Sequence, residues 1–290
     1  MDHIGGQAVI EGVMMRSPTK MAVSVRLPNK KIKTKKEKIK RLKIAKYPFI
    51  RGGFVLFDTL VKGTKTLLWS ADQQLEKHEK ITKKDVFWTL FITFAFVIGF
   101  FIVLPYALTH WIGVKEDTSP ILFNFIDGLI KMALLLAYLG VISMFNDVKR
   151  VFQYHGAEHK AVNCFEAKKE LTIRNAKKFP KEHSRCGTSF LIIVLVISIL
   201  LFSLLPVLVS ALGISLNFWL QRLLLLFLRI LMLPIVAAVS FEVLKFGDRF
   251  KKFKLIGWIT MPGIWVQKIT TREPDNKQIE VAITALKSVK

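Results

Sequence analysis

The stretch TSFLIIVLVISILLFSLLPVLVSALGI, Thr188 to Ile214, contains no Asp, Glu, Lys or Arg. About 20 such residues suffice for a helix to cross a hydrocarbon core of roughly 30 Å, so the stretch predicts a membrane span. Val86 to His110 has the same character, and Ile121 to Phe145 differs only in carrying Asp127 and Lys131. Leu216 to Phe246 is a fourth candidate, with Arg222, Arg229, Glu242 and Lys245. The expected fold is therefore mainly α: a polytopic helical membrane protein with about four transmembrane helices, joined by a small N-terminal β-meander and interfacial helices.

The composition is segregated, 52% hydrophobic yet with 44 Lys and Arg against 21 Asp and Glu. Those cations sort by position. Residues 1–85 hold 20, the segment 146–187 holds ten and residues 246–290 hold nine. The link Gly113 to Pro120 has one Lys beside Glu116 and Asp117, and Pro206 to Asn217 has no charge. Cytoplasmic loops carry the excess of Lys and Arg, which predicts a multi-pass protein of the cell's inner membrane with both termini cytoplasmic. The divisions that follow are a basic arm (1–85), two spans (86–145), a central segment (146–187), two further spans (188–246) and a cytoplasmic or interfacial tail (247–290).

Chemistry concentrates in the central segment. Phe152 to Cys186 contains three of the six histidines and both cysteines of the chain. At about 100° per residue, His155, Glu158 and His159 fall on one face of a helix. That H-x-x-E-H spacing suits a metal site whose glutamate serves as base. The expected ligands are His155 and His159, with His183 or Cys186 as the third. Glu158 is expected as general base or fourth ligand, and Glu166 as a possible supporting group two turns on. The cation would be divalent, zinc first, with manganese or iron as alternatives. Cys164 projects to the far side and reads as a buried, inert thiol. Two cysteines in a reducing compartment do not make a disulfide framework.

Charges inside the spans need partners, because each would cost at least about 2.5 kcal/mol alone. Asp127 and Lys131, four apart on one face, are expected to pair with each other or with an arginine of the fourth span, as a structural clamp. Glu242, near the inner end of that span, has two readings of equal weight: a partner for Lys245, or an additional ligand of the central site.

In the arm, the first residues lack the apolar core of a signal peptide, so neither removal nor secretion is expected. Ala8 to Met15 and Met21 to Leu27, separated by Ser-Pro, and Lys31 to Thr34 beyond Pro28-Asn29 predict two or three short strands. The Lys-rich run Lys30 to Lys46 is expected to meet anionic lipid at the inner leaflet. It lacks the aromatic interleaving or motif of a specific nucleic-acid site. Ile50 to Trp69 has apolar residues at helical spacing and predicts a helix on the membrane surface or against the bundle. In the tail, Leu255 to Val266 is too short to span and is interrupted by Pro262-Gly263, so an interfacial or re-entrant piece is expected. Glu280 to Val289 predicts an amphipathic helix with a Val281, Ala285, Leu286 stripe.

Several stretches, in order, resemble the YqhQ-like family of bacterial membrane proteins: Gly5 to Arg16, Tyr154-His155-Gly156-Ala157-Glu158-His159-Lys160, Arg185 to Phe190, Pro262 to Gln267 and Thr270 to Pro274. The resemblance spans nearly the whole chain and implies a metal-dependent enzyme, without carrying a reaction. It places His155, Glu158, His159, His183 and Cys186 on motif positions, and it draws Glu11 and Arg16 in as possible supporting residues. Ser184 follows His183 where the family commonly has Pro, a departure that bears on turn geometry. The function these observations favour is a metal-dependent hydrolase at the cytoplasmic membrane surface, acting on a membrane-associated substrate. The alternatives are a carrier or channel with a metal-binding segment, and a non-enzymatic scaffold. Against transport, the first and third spans are almost wholly apolar.

Overall fold

The computed structural model describes residues 4–39, 47–75, 82–116, 118–214, 216–250 and 253–290. Residues 40–46 of the Lys-rich run and Asp117 of the link Gly113 to Pro120 lie outside the described residues.

The arm begins with a four-stranded antiparallel meander, β1 (Gly5–Val9), β2 (Gly12–Arg16), β3 (Lys20–Arg26) and β4 (Ile32–Lys38), in the order β1-β2-β3-β4. The run Ala8 to Met15, expected as one strand, is divided by a turn at Ile10-Glu11. Glu11 takes the left-handed conformation (φ 52°), and a Cβ on Gly12 would lie 2.2 Å from the Ser24 carbonyl oxygen. Only glycine allows β2 to begin there. Consecutive residues of β2 and β3 are buried, because both sheet faces are covered. One covering element is α10 (Asn276–Val289), whose expected Val281, Ala285, Leu286 stripe packs with Val13, Met15 and Ala22. Trp69 of α1 (Arg51–Asp72) covers the opposite set, Val9, Met14, Met21, Val23 and Val25. The outer strand β4 carries exposed lysines, which discourage pairing with another chain.

Among the described residues, four helices are long and apolar enough to cross a membrane, making this a helical membrane protein. The first span joins α2 (Lys83–Ile98), a π-helical turn (Gly99–Val103) and α3 (Leu104–Trp111). It starts at a capping box in which Thr82 and Asp85 satisfy each other's backbone N–H. The others are α4 (Pro120–Ile142), α7 (Gly187–Ala211) and α8 (Phe218–Arg249). α7 packs between α4 and α8, and a Cβ on Gly128 of α4 would lie 2.3 Å from Ile199, so the two helices touch there nearly backbone to side chain. The first span leans on α4 from outside through Phe96 and Phe101 against Tyr138.

Asp127 and Lys131 pair with each other, one of the two arrangements expected. Arg222 and Arg229 do not join them. Both turn to Glu116 (2.7 and 3.1 Å), and Arg229 also donates to Asn124 Oδ1 at 2.9 Å. Glu116 reads from sequence as a loop charge, yet it is only 9% exposed, because two guanidiniums in an apolar bundle draw its carboxylate inward.

The remaining helices gather with the sheet at one end of the bundle. α1 lies against α8, where a Cβ on Gly52 would approach the Ala238 Cα to 2.6 Å. α5 (Asn146–Glu166) follows α4 after a three-residue break, and α6 (Ile173–Lys177) lies in the loop beyond. The tail departs from expectation: α9 (Lys254–Thr270) continues through Pro262 instead of breaking. Its Gly263 is the contact point with α7, since a Cβ there would meet Ser189 at 2.5 Å, so the Pro-Gly pair serves packing and not termination.

Glu116→Ala removes the carboxylate that both arginines share and is expected to destabilise the protein by about 3–5 kcal/mol. A lowered unfolding midpoint in detergent, with Asp72→Ala on α1 left unchanged, checks this; equal midpoints would show the cluster to be solvated.

Candidate metal centre

The centre is built on α5, and the tail segment after α9 fixes where that helix lies. A Cβ on Gly156 would sit 2.1 Å from the Arg272 carbonyl oxygen, and the Arg272 N–H donates to the Phe152 carbonyl at 2.9 Å. This close approach brings the Thr270 carbonyl onto α5, where it accepts from His155 Nδ1 at 2.8 Å. On the other side, His159 Nδ1 meets the Lys181 carbonyl at 2.6 Å. A carbonyl oxygen can only accept, so each Nδ1 carries a proton, and in the neutral ring each Nε2 keeps its lone pair. Fixing a histidine through its outer nitrogen in this way is the usual support of a metal ligand.

Both lone pairs face the start of α7. Cys186 is its N-cap, held by the Thr188 N–H at 3.4 Å, and its thiol lies 3.2 Å from His155 Nε2. The imidazole centroids are 4.4 Å apart. One ligand atom from each of His155, His159 and Cys186 falls within 4.8 Å of the others. Tetrahedral zinc with two nitrogens and a thiolate needs ligand separations of about 3.3–3.8 Å, so a small contraction closes the site. Burial pushes the pKa of His159 below the ordinary histidine value, opposed by its hydrogen bond to Cys186. A neutral imidazole is the form that ligates.

Of the two candidates for third donor, the structure brings Cys186 into this group. His183 has both ring nitrogens engaged elsewhere: the Arg185 N–H donates to Nδ1 at 3.3 Å, and Nε2 faces Glu166 at 3.4 Å. Glu166 also pairs with Arg185, so it braces the loop. Glu242 is taken by Arg51, through Nε at 2.7 Å and Nη2 at 2.5 Å, which ties α1 to α8. Lys245, one of its two expected partners, acts on it at longer range, and the donor group of His155, His159 and Cys186 does not include it. Glu11 accepts two bonds of 2.5 Å from Arg150 and one of 3.2 Å from the Tyr154 hydroxyl, anchoring the β1–β2 turn to α5 one residue before His155. Arg16 pairs with Asp58 of α1.

Glu158 lies beside the donors with its Oε2 buried and without a hydrogen-bond partner among the described residues. Burial raises its pKa to about 7, with the nearby His155 and His183 opposing the shift. Gly6 of β1 makes the room: a Cβ there would come within 2.8 Å of the Glu158 carboxyl. Glu158 and the three donors form one wall of a cavity of about 690 Å³.

Sequence reasoning missed the residues that place the donors. Gln267 of α9 is wholly buried; its Oε1 accepts from the His183 N–H (2.8 Å) and its Nε2 donates to the His183 carbonyl and Ser189 Oγ (2.9 and 2.8 Å). This clamp sets the loop that ends in Cys186. A lone amide at the end of an apolar run was the available signal.

A family model described as "Protein of unknown function (DUF1385)" matches residues 47–290. The "Uncharacterized protein YqhQ" of Bacillus subtilis (strain 168) is 32% identical over 304 residues, which cover 96% of this chain and 89% of that protein. No solved structure matches the chain.

Gly156→Ala places a methyl group against a backbone carbonyl and is expected to cost about 1–3 kcal/mol. Gly5→Ala meets nothing within 4 Å and serves as its control. A thermal midpoint lowered in the first and kept in the second checks the tail-to-helix contact.

Proposed function

This chain belongs to the DUF1385 family of proteins of unknown function, and from that premise we propose that it is a metal-dependent hydrolase of the membrane surface. One observation carries the reading: both imidazoles of α5 give their Nδ1 protons to backbone carbonyls, which leaves two Nε2 lone pairs facing a free thiol. Two nitrogens and a sulfur suit zinc, with manganese or iron as weaker fits to a thiolate. Three protein donors leave a fourth position for water or substrate.

A divalent cation held there supplies Lewis acidity, which polarises an acyl or phosphoryl oxygen and activates water. The chain's own part falls to Glu158. In this reading it takes the proton as the water oxygen adds to the reacting centre, then returns it to the leaving oxygen or nitrogen as that bond breaks. Its buried, unpartnered Oε2 supports the base role over that of fourth ligand, since a ligand would be drawn into the donor group. Gln267, Thr270 and Lys181 position the donors and do not touch the reaction. The distribution of Lys and Arg supports a cytoplasmic centre, with the basic surface against anionic lipid of the inner leaflet.

A second reading rests on one distance, the 3.2 Å between Cys186 Sγ and His155 Nε2. With Thr270 orienting the imidazole and the thiol at a helix start, Cys186 would be a nucleophile and His155 its base.

Elemental analysis of detergent-purified protein separates the two. Near-stoichiometric zinc is expected in the wild type, trace metal in His155→Ala/His159→Ala, and full occupancy in Glu158→Gln. Equal trace metal in all three would overturn the metal reading. A Cys186 that iodoacetamide labels rapidly without prior chelation would favour the nucleophile instead.

A further inference from the structure

Beyond the donors, the cavity lining has two chemically different parts. One part is cationic, Arg16 of β2 and Lys62 of α1, both lining the cavity and both bound to the single carboxylate of Asp58. Two cations on one carboxylate leave an excess of one positive charge there. Arg185 also lines the cavity and is paired with Glu166, and the acid of the lining is Glu158, beside the donors. The other part is apolar, with Leu56 of α1, Phe190 of α7 and Phe241 and Leu244 of α8. The last three belong to membrane-spanning helices, at the first turn of one and the closing turns of the other. The cavity therefore joins the level at which the bundle enters lipid to a cationic polar rim, and its size of about 690 Å³ is that of a small-molecule site.

We infer that this cavity binds an anionic glycerophospholipid, with the phosphate between Arg16 and Lys62 and the chains along Leu56, Phe190 and Phe241. This names the substrate class of the proposed hydrolase and rests on that reading for its chemistry, although not for its binding. Arginine offers a planar fork to phosphate oxygens and lysine a mobile point charge, a pair suited to one phosphate. Phosphatidylcholine brings a quaternary ammonium, and Asp58, the acid beside the two cations, is already held by both of them. A soluble phosphate ester would leave the apolar part uncovered.

The test uses the full chain in neutral detergent micelles. Dioleoylphosphatidylglycerol, dioleoylphosphatidylcholine and glycerol 3-phosphate are added in turn, and retained ligand is read by native mass spectrometry beside the thermal midpoint. Phosphatidylglycerol is expected to be retained and to raise the midpoint, while the other two do neither. Lys62→Gln and Arg16→Gln are each expected to weaken phosphatidylglycerol about five- to tenfold. Asp58→Asn frees both cations and is expected to tighten it, an outcome that a merely structural ion pair does not produce. Lys35→Gln/Lys36→Gln on β4 controls for attraction to the basic surface and is expected to change nothing.

Equal retention of phosphatidylcholine, an unchanged Lys62→Gln, or weaker binding by Asp58→Asn would overturn the lipid site. Should Arg16→Gln misfold, Lys62→Gln and Asp58→Asn decide the matter by themselves. Zinc in the wild type without phosphatidylglycerol preference would overturn the lipid site alone. Phosphatidylglycerol preference in a zinc-free wild type would overturn the hydrolase reading and keep the lipid site.

Discussion

Two hydrogen bonds from imidazole to backbone organise the membrane-surface end of this protein. His155 gives its Nδ1 proton to Thr270 at the end of α9, and His159 gives its own to Lys181 in the loop before α7. Each bond joins α5 to a distant segment, and each aims an Nε2 at Cys186. If either carbonyl moved, the corresponding ring could turn or exchange tautomers and the shared focus would be lost. The surrounding packing can be understood as what holds those carbonyls still. Gly156 lets the tail come against α5, Gln267 clamps the loop from α9, and Gly263 seats α9 on α7.

The spans were legible in the sequence because their signal is local. Twenty or more uncharged apolar residues have few alternatives to a membrane helix, and all four appear. α10 was equally clear, since its stripe repeats at helical spacing. The turn at Ile10-Glu11 was not, because Val, Ile and Met run through it and only the left-handed Glu11 before Gly12 ends the strand. Pro262-Gly263 misled for a related reason. Proline in a helix usually signals a stop, but here the glycine beside it provides a helix contact and the chain continues.

At the centre, the spacing of His155, Glu158 and His159 already put three groups on one face of a helix. What spacing could not decide was whether His183 or Cys186 comes back to them, because that depends on how a loop lies. The deciding residue is Gln267, some 80 positions from the loop, which fixes His183 by its backbone and so carries Cys186 to the start of α7. Glu242 was undecided for the same cause. Its neighbour in sequence is Lys245, yet its partner in space is Arg51, almost two hundred residues away.

Glu116 and Glu158 together show how burial gives two carboxylates different tasks. Glu116 is drawn among hydrophobic helices by two guanidiniums, both of which pair with it. Glu158 is as deeply placed, but among the described residues no Lys or Arg pairs with it and one of its oxygens has no partner. An ionised group in such a place is unfavourable unless something positive is nearby, and a neutral one leaves a polar atom unsatisfied. Either state leaves a deficit that a cation among His155, His159 and Cys186, or a water beside it, would remove. The packing around Glu158, with Gly6 of β1 against its carboxyl, is therefore of a kind that a bound cation with its water would complete.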